Sequence, residues 1–211
     1  MKKLLLVITI AGLLAGCGID YDGTTKLIFK GRVTTPEGTP LEGIKISTFI
    51  SNSYHTDEIG YDYTDSNGYY LMIFPKAHEK VNVEVDINSA GEDSALSRTQ
   101  IFNIGLDEVN DYTIDFGAQP LYENEGSVLL HIDLPENSAS ILKIGLTGLV
   151  DNHRVDHNFS ELPEDPNEWA HDQDYLVAPN QVITLQYLLQ DGTLHEVQIP
   201  IGEEELTYTL Q

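Results

Sequence analysis

The stretch Asp151–Tyr175 holds the residues whose types could bind a metal. His153 and His157 lie four residues apart, and His171 follows in the same stretch. Imidazole nitrogens and carboxylates are ligands that zinc and similar transition metals accept in proteins. Two histidines four apart converge on one ion most readily on a helix, and the residues around this pair show no helical period. The pattern favours a solvated acidic loop, with a metal site at these three histidines as the alternative.

The same stretch carries aromatic side chains that could bind a ligand. Trp169 is the only tryptophan of the chain, and Tyr175 lies shortly after it. An exposed aromatic ring with a polar tip can stack on a sugar and donate a hydrogen bond. Tryptophan more often buries most of its area, which favours a packing role for Trp169. These two residues are the candidate ligand-binding residues of the sequence.

Other catalytic patterns are missing from the sequence. It contains no Gly-x-Ser-x-Gly, no glycine-rich phosphate loop and no dinucleotide-binding fingerprint. Cys17 is the only cysteine, so no intramolecular disulfide can form. Carboxylates occur throughout the chain, and no pair of them stands out as a general acid and base. We therefore predict no catalytic residue and no enzymatic activity.

The start of the chain predicts export. Two lysines precede the largely apolar run Leu4–Leu14, which is shorter than the roughly 20 residues of a membrane-spanning helix. This pattern indicates a cleaved signal peptide over residues 1–16. Leu14-Ala15-Gly16-Cys17 resembles the bacterial lipobox, in which the cysteine sulfur receives a diacylglycerol before cleavage. The resemblance implies that the lipid on Cys17 anchors the protein to a membrane and is its only added group. The alternatives are an ordinary secretory signal with an incidental cysteine and a soluble protein with an unusual apolar start.

The residues after Cys17 indicate where the protein resides. Gly18 stands where an aspartate would resemble an inner-membrane retention signal. We therefore expect a cell-envelope protein of the outer membrane, with its body in the periplasm or outside. Residues 17–25 are expected to form a short flexible tether.

The charge of the chain excludes one class of partner. The sequence has 11 basic and 34 acidic side chains, and loss of the leader with its two lysines gives a net charge of −25. Such a charge repels nucleic acid phosphates and anionic lipid headgroups, so a basic patch for either is not expected. The predicted partners are the membrane, through the anchor, and a glycan or an envelope protein.

Alternating apolar and polar residues predict strands throughout the exported part. Leu27–Thr34 and Val81–Asn88 alternate with a period of two. Tyr69–Phe74 is apolar at nearly every position, which predicts a central strand buried on both faces. No stretch before residue 118 has a sustained helical period. The fold class is therefore predicted to be all-β, with one β-sandwich over residues 26–117 and a second β-sandwich over residues 118–211.

Three blocks of the first unit resemble the carboxypeptidase regulatory-like domain family. They are Gly31-Arg32-Val33, Glu37–Ile46 and Thr64–Tyr70, and they occur in that order. The resemblance covers about residues 26–117 and implies a prealbumin-like (transthyretin-like) sandwich without catalytic function. In the third block Asn67-Gly68 is expected to take the left-handed conformations of a tight hairpin turn.

One segment departs from the family pattern. Ser51–Tyr63 is polar and resembles an insertion between the second and third blocks. It contains His55-x-x-Glu58, which matches the zinc-binding pair of metallocarboxypeptidases. A motif of two residues recurs by chance, and this one lies inside the non-catalytic unit, so we interpret it as a coincidence.

The second unit has a clear hairpin but resembles no family that we can name. Two alternating runs flank Asp191-Gly192, which predicts a hairpin with a two-residue turn. One face of it is expected to carry Ile183, Leu185, Tyr187, Leu189, Val197 and Ile199. The pattern suits an immunoglobulin-like or a second prealbumin-like sandwich that begins near Gln119-Pro120.

Two functional hypotheses follow from the sequence. The first is a non-catalytic, membrane-anchored lipoprotein of the cell envelope that serves as a binding or spacer module for a glycan, a peptide or a partner protein. The alternative is a metal-binding lipoprotein, or a small metal-dependent hydrolase, that uses the histidine-rich loop at 153–171.

Overall fold

The computed structural model describes residues 19–78, 80–89, 93, 95–106, 112–134, 141–162 and 174–210. These residues form fourteen β-strands and no α-helix, which confirms the all-β fold class. In this part of the chain there is accordingly no helix with the length and hydropathy to span a bilayer. The strands are β1 (Tyr21–Thr34), β2 (Lys45–Ser51), β3 (Thr56–Tyr63), β4 (Tyr69–Ala77), β5 (Asn82–Ile87), β6 (Thr99–Phe102), β7 (Thr113–Pro120), β8 (Val128–Asp133), β9 (Ile141–Thr147), β10 (His153–Asp156), β11 (Asp174–Val177), β12 (Gln181–Leu189), β13 (Leu194–Ile201) and β14 (Leu206–Thr209).

Two sheets form the first sandwich. Sheet A has the strand order β4-β1-β7, and sheet B has the order β10-β6-β5-β2-β3. β1 lies in the middle of sheet A and buries Leu27, Phe29 and Val33 completely. Val85 and Ile87 of β5 belong to the same buried cluster. The alternation predicted for β1 is confirmed, because side chains two apart on a strand point to the same face. In β5 the apolar positions are buried as predicted, but the alternate residue Asp86 is buried as well.

A glycine on β1 leaves room for an aromatic ring in this core. Gly31 pairs with Tyr70 of β4. A Cβ atom on Gly31 would lie 2.6 Å from the Tyr70 hydroxyl oxygen. The ring therefore lies across the glycine, and burial raises the pKa of Tyr70 above its usual value.

The turn before β4 forms at the predicted position. The Asp65 carboxylate accepts hydrogen bonds from the Asn67 and Tyr69 amides, both at 2.9 Å. Gly68 has a φ of 79°, and a Cβ there would lie 2.3 Å from the Val33 carbonyl oxygen. Asn67 does not share this conformation, so only one of the two residues expected to be left-handed is so.

Two segments expected to be irregular are ordered as strands. Ser51–Tyr63, interpreted as an insertion, includes β3, which pairs with β2 at the edge of sheet B. Its polar composition fits an edge strand with one face in water. A flexible tether does not describe residues 19–25, because Ile19 is buried and β1 begins at Tyr21. The Tyr21 hydroxyl donates to Asp57 at 3.0 Å, which ties the start of β1 to β3.

The second sandwich pairs a sheet of order β11-β8-β14 with a sheet of order β13-β12-β9. β12 and β13 form the predicted hairpin, and its predicted inner face is confirmed by Ile183, Leu185 and Ile199, which are all buried. The turn is longer than predicted. Leu189 and Thr193 close a three-residue loop in which Gly192 has a φ of 82°. A type I turn followed by a left-handed glycine is a common hairpin connection of this length.

One strand joins the two sandwiches. β10 follows β9 in the chain, yet it pairs in parallel with β6 and extends sheet B of the first sandwich. The predicted boundary near residue 118 stays a prediction, but the two units are not separated by a simple linker. β10 also covers the edge of β6, which would otherwise offer unpaired backbone groups.

Candidate interaction surfaces

A buried ion pair lies where the two sandwiches meet. Lys143 of β9 places its Nζ atom 2.7 Å from Oδ2 of Asp156 at the end of β10. The two side chains are only 1% and 3% exposed. Asp156 Oδ1 also accepts hydrogen bonds from Asn103 Nδ2 at 2.8 Å and from the Asn158 amide at 3.0 Å. A buried charge persists only when it is paired in this way, so these contacts fix β9 against sheet B.

Two of the predicted metal ligands lie at this junction of the two sandwiches, which we call the seam, in different environments. His153 Nε2 donates a hydrogen bond to the Leu146 carbonyl at 2.8 Å, because a carbonyl oxygen can only accept. Burial lowers the pKa of His153 below its usual value, and this hydrogen bond offsets part of the shift. The His157 ring packs edge-on against Phe116, with 5.8 Å between centroids. The structure therefore gives each of these two histidines a structural contact.

The other predicted site residues of this stretch are divided. His171 and Trp169 lie outside the described residues, as does Cys17, the residue predicted to carry a lipid. Among the residues that are described, no group of three or more His, Cys, Asp or Glu side chains could hold a metal ion. The metal site and the role of Trp169 stay predictions.

Tyr175, the second predicted ligand-binding residue, lies on β11 and packs against the core of the second sandwich. In the preceding residue, Asp174, the carboxylate oxygen Oδ1 lies 2.6 Å from Nδ1 of His131 on β8. This pair is well exposed to solvent. The partly buried ring of Tyr175 supports the sheet more than it offers a stacking platform, although its role in binding stays a prediction.

The outer face of sheet A combines cations with exposed apolar side chains. Three aligned rows cross its strands, and register places Tyr69 beside Arg32, Leu71 beside Lys30 and Ile73 beside Ile28. The three β4 side chains are 56%, 51% and 54% exposed. Lys26 lies on the same face of β1, one alternation before Ile28. We define the cationic face as Lys26, Ile28, Lys30, Arg32, Tyr69, Leu71 and Ile73.

Local contacts hold the cations of this face in place. Arg32 Nε donates to the Asn67 carbonyl at 2.9 Å, and its guanidinium lies 5.4 Å from the centroid of the Tyr69 ring. Lys30 Nζ lies 3.3 Å from Asp115 on β7. A hydrogen bond from the Gly117 amide, together with Lys30, holds the pKa of Asp115 below its usual value. The side chains are thus ordered by their neighbours while remaining open to solvent.

The edge of β4 beside this face is closed by a side chain. Asp62 of β3 accepts a hydrogen bond from the Leu71 amide at 2.9 Å. This amide points away from β1, so it would otherwise be available to a further strand. A carboxylate in this position blocks pairing at the edge of a sheet.

Sequence reasoning did not predict the cationic face, because the net charge argued against a basic surface. The alternation in β1 already placed Lys30 and Arg32 opposite the buried residues. The prediction of a central, doubly buried strand for Tyr69–Phe74 is wrong, because β4 is an edge strand whose Tyr69, Leu71 and Ile73 face solvent. A run of apolar residues cannot be assigned to a central strand by its pattern alone.

Comparisons with known proteins give no family. No family model matches the chain, and no curated protein matches it. A 9R-lipoxygenase from Cyanothece PCC8801 is similar over 64% of this chain and 21% of its own, with 14% identity and a TM-score of 0.32. The shaft pilin SpaA from Lactobacillus rhamnosus GG (8% identity, 89% of this chain and 98% of that chain, TM-score 0.34) and the tip fimbrial protein Mfa3 from Porphyromonas gingivalis (8%, 83% and 82%, TM-score 0.29) are also similar. The chain spans about a fifth of the lipoxygenase, and TM-scores this low carry no argument about function.

Proposed function

We propose that this protein is a non-catalytic lipoprotein of the cell envelope, anchored through a lipid on Cys17, whose tandem β-sandwiches act as a binding or spacer module. The first sandwich is, in this proposal, a carboxypeptidase regulatory-like domain. The outer membrane is the proposed location, because Gly18 rather than aspartate follows the cysteine.

The observation that carries the proposal is the joining of the two sandwiches by a shared strand and a buried ion pair. β10 extends sheet B, and the buried pair of Lys143 and Asp156 ties β9 to it. A module that holds or displays a partner at a membrane needs a body that keeps its shape. Ile19, buried two residues after Cys17, brings that body close to the point of attachment.

The side chains at the seam support a structural role over catalysis. His153 donates to a backbone carbonyl, and Asp156 is fully engaged by Lys143, Asn103 and Asn158. Groups that are saturated by structural partners are poor candidates for a general acid or base, which needs reach to a substrate proton.

The anchor can be tested in cells. Cys17→Ala should abolish metabolic labelling with a radioactive fatty acid and release the protein from the membrane fraction. Gly18→Asp, as a matched control, should keep the lipid and move the protein from the outer to the inner membrane fraction. Protease access on intact cells then reports which side of the membrane the body occupies. Unchanged membrane association of Cys17→Ala would refute the anchor.

The binding function can be tested with the purified protein. A panel of glycans and envelope fractions should contain a component that raises the unfolding temperature, since a ligand that binds only the folded state stabilises it. If that component is a glycan held by the 151–175 stretch, Trp169→Ala should weaken the shift. A panel without any shift would refute the binding function and leave the spacer function.

A further inference from the structure

We propose that the cationic face of sheet A lies against the headgroup layer of the anionic membrane that carries the anchor. This inference rests on the proposed lipid at Cys17 and adds the surface through which the body meets the bilayer. The anchor would hold the protein at the membrane, and the cationic face would orient it.

The first argument is the segregation of charge. The chain without its leader has nine basic side chains in all, and Lys26, Lys30 and Arg32 place three of them on one face of one strand. Asp115 is the only acidic residue at the positions of β1, β4 and β7 that align on this face. The face thus presents three cations to one aligned carboxylate, with Asp62 and Asp65 at its border, although the protein as a whole carries a large negative charge. The field between such a face and an anionic surface turns the acidic remainder of the molecule away from that surface.

The second argument is the mixture of side chains. Tyr69, Leu71 and Ile73 form an exposed apolar row on β4, directly beside the cations of β1. Surfaces that lie in a membrane interface combine aromatic and aliphatic side chains, which enter the headgroup and acyl boundary, with lysine and arginine for the phosphates. Tyrosine is favoured at that depth because its ring is apolar and its hydroxyl is polar.

The third argument is the length of chain between the anchor and the face. Ile19 is packed in the core of the first sandwich, so only Gly18 lies between it and Cys17, and the Cα atoms of these two residues are at most about 7 Å apart. β1 begins at Tyr21 and presents its first cation of the face at Lys26. A folded domain joined to its lipid anchor by so short a connection stays close to the headgroups.

The fourth argument concerns the alternative partner, another protein. The commonest way in which an edge strand such as β4 recruits a polypeptide is the addition of a strand. The Leu71 amide at that edge already donates its hydrogen bond to the Asp62 carboxylate. The open part of the surface is thus the face of the sheet and not its edge, which favours a flat, laterally extended partner.

A fluorescent probe on the face tests this orientation. With Cys17 lipidated, Leu71→Cys gives the full-length mature protein a single free thiol for an environment-sensitive fluorophore. Val182→Cys on β12 is the matched control, because Val182 is also an exposed apolar residue, 55% exposed. The lipidated proteins are reconstituted in vesicles of phosphatidylcholine and phosphatidylglycerol with a spin-labelled lipid as quencher. We expect a blue shift and strong quenching at position 71 and neither at position 182.

Charge variants test the cause of the orientation. A triple variant should change the orientation of the bound protein: Lys26→Gln, Lys30→Gln and Arg32→Gln. At low salt, the ratio of molecules whose cationic face touches the membrane to molecules whose cationic face points away should fall roughly 100-fold, which is the effect of three cations at an anionic surface. Lys45→Gln, which removes a cation from sheet B, should leave the quenching at position 71 unchanged. Acetylation of lysines in the unsubstituted protein provides a measurement without a probe, in which vesicles should protect Lys26 and Lys30 more than Lys45.

Each contrary result has a distinct meaning. Equal quenching at positions 71 and 182, or equal acetylation of the three lysines, overturns the proposal. Protection of position 71 in native envelopes but not in protein-free vesicles also overturns it and assigns the face to a protein partner. Maleimide labelling of the unsubstituted protein tests the lipid anchor separately, because it reports whether the Cys17 thiol is free. A reactive Cys17 refutes the lipid, and quenching at position 71 in added vesicles then decides the membrane contact.

Discussion

Removal of the buried lysine at the seam should destabilise the whole protein. Lys143→Met keeps a long side chain of similar volume but leaves the carboxylate of Asp156 without its cation. Loss of one partner from a buried ion pair costs about 3–5 kcal/mol. Because Asn103 and the Asn158 amide still donate to that carboxylate, we expect the lower end of this range.

The size of the expected effect follows from the length of the chain. A loss of about 3 kcal/mol is a large part of the roughly 5–15 kcal/mol that stabilises a folded domain. For a protein of this size it should lower the unfolding temperature by about 6–12 °C. Urea unfolding followed by circular dichroism gives the free energy, and scanning calorimetry shows whether the two sandwiches still unfold together.

Two further variants make this prediction specific. Lys30→Met breaks the ion pair with Asp115, whose side chains are 44% and 58% exposed, and should change stability by less than about 1 kcal/mol. Asp156→Asn in the background of Lys143→Met removes the unpaired charge and should recover part of the loss, a coupling that a double-mutant cycle measures. If Lys143→Met costs no more than Lys30→Met, the seam is not held by the buried pair and the reasoning fails.

Two other perturbations follow from the structure. Gly31→Ala forces a Cβ atom against the Tyr70 hydroxyl and should lower the free energy of unfolding in urea by about 1–3 kcal/mol. Gly23→Ala should be close to neutral, because a Cβ atom there would have no neighbouring atom within 4 Å. Equal effects of the two substitutions would contradict the packing argument. Burial lowers the pKa of His153 in the folded state, so the unfolded chain binds its proton first, and the free energy of unfolding should fall as the pH drops below about 6.5. His153→Gln should flatten this dependence between neutral and mildly acidic pH, and an unchanged profile in His153→Gln would assign the pH dependence to other groups.

The sequence alone determined the class of the fold and much of its first half. The two-residue period of β1 and β5 is a local property, because each side chain's face on a strand follows from its position. The turns at Gly68 and Gly192 were also readable, since a left-handed backbone at a hairpin requires glycine or a few polar residues. The signal peptide, the lipid on Cys17 and the family resemblance depend on sequence patterns alone and remain predictions.

Tertiary structure decided which surfaces are buried and which are free. The apolar run of β4 suits a central strand, yet β4 lies at an edge of sheet A, whose strands in the described residues follow the order β4-β1-β7. The residues of β10 belong to the second half of the chain, but their backbone pairs with β6 of the first. Pairing between strands distant in sequence is set by the packing of whole sheets, and no local pattern contains it.

The sequence determines the net charge of the protein, whereas the tertiary structure determines where the charges lie. Its sum, strongly negative, is fixed by the sequence and argued against a basic surface. The distribution of that charge depends on which strands become neighbours, and sheet A places Lys26, Lys30 and Arg32 beside the exposed row of β4. Electrostatic potential at a surface depends on the arrangement of nearby charges and falls off within about 8–10 Å in salt solution, so a net charge does not determine it.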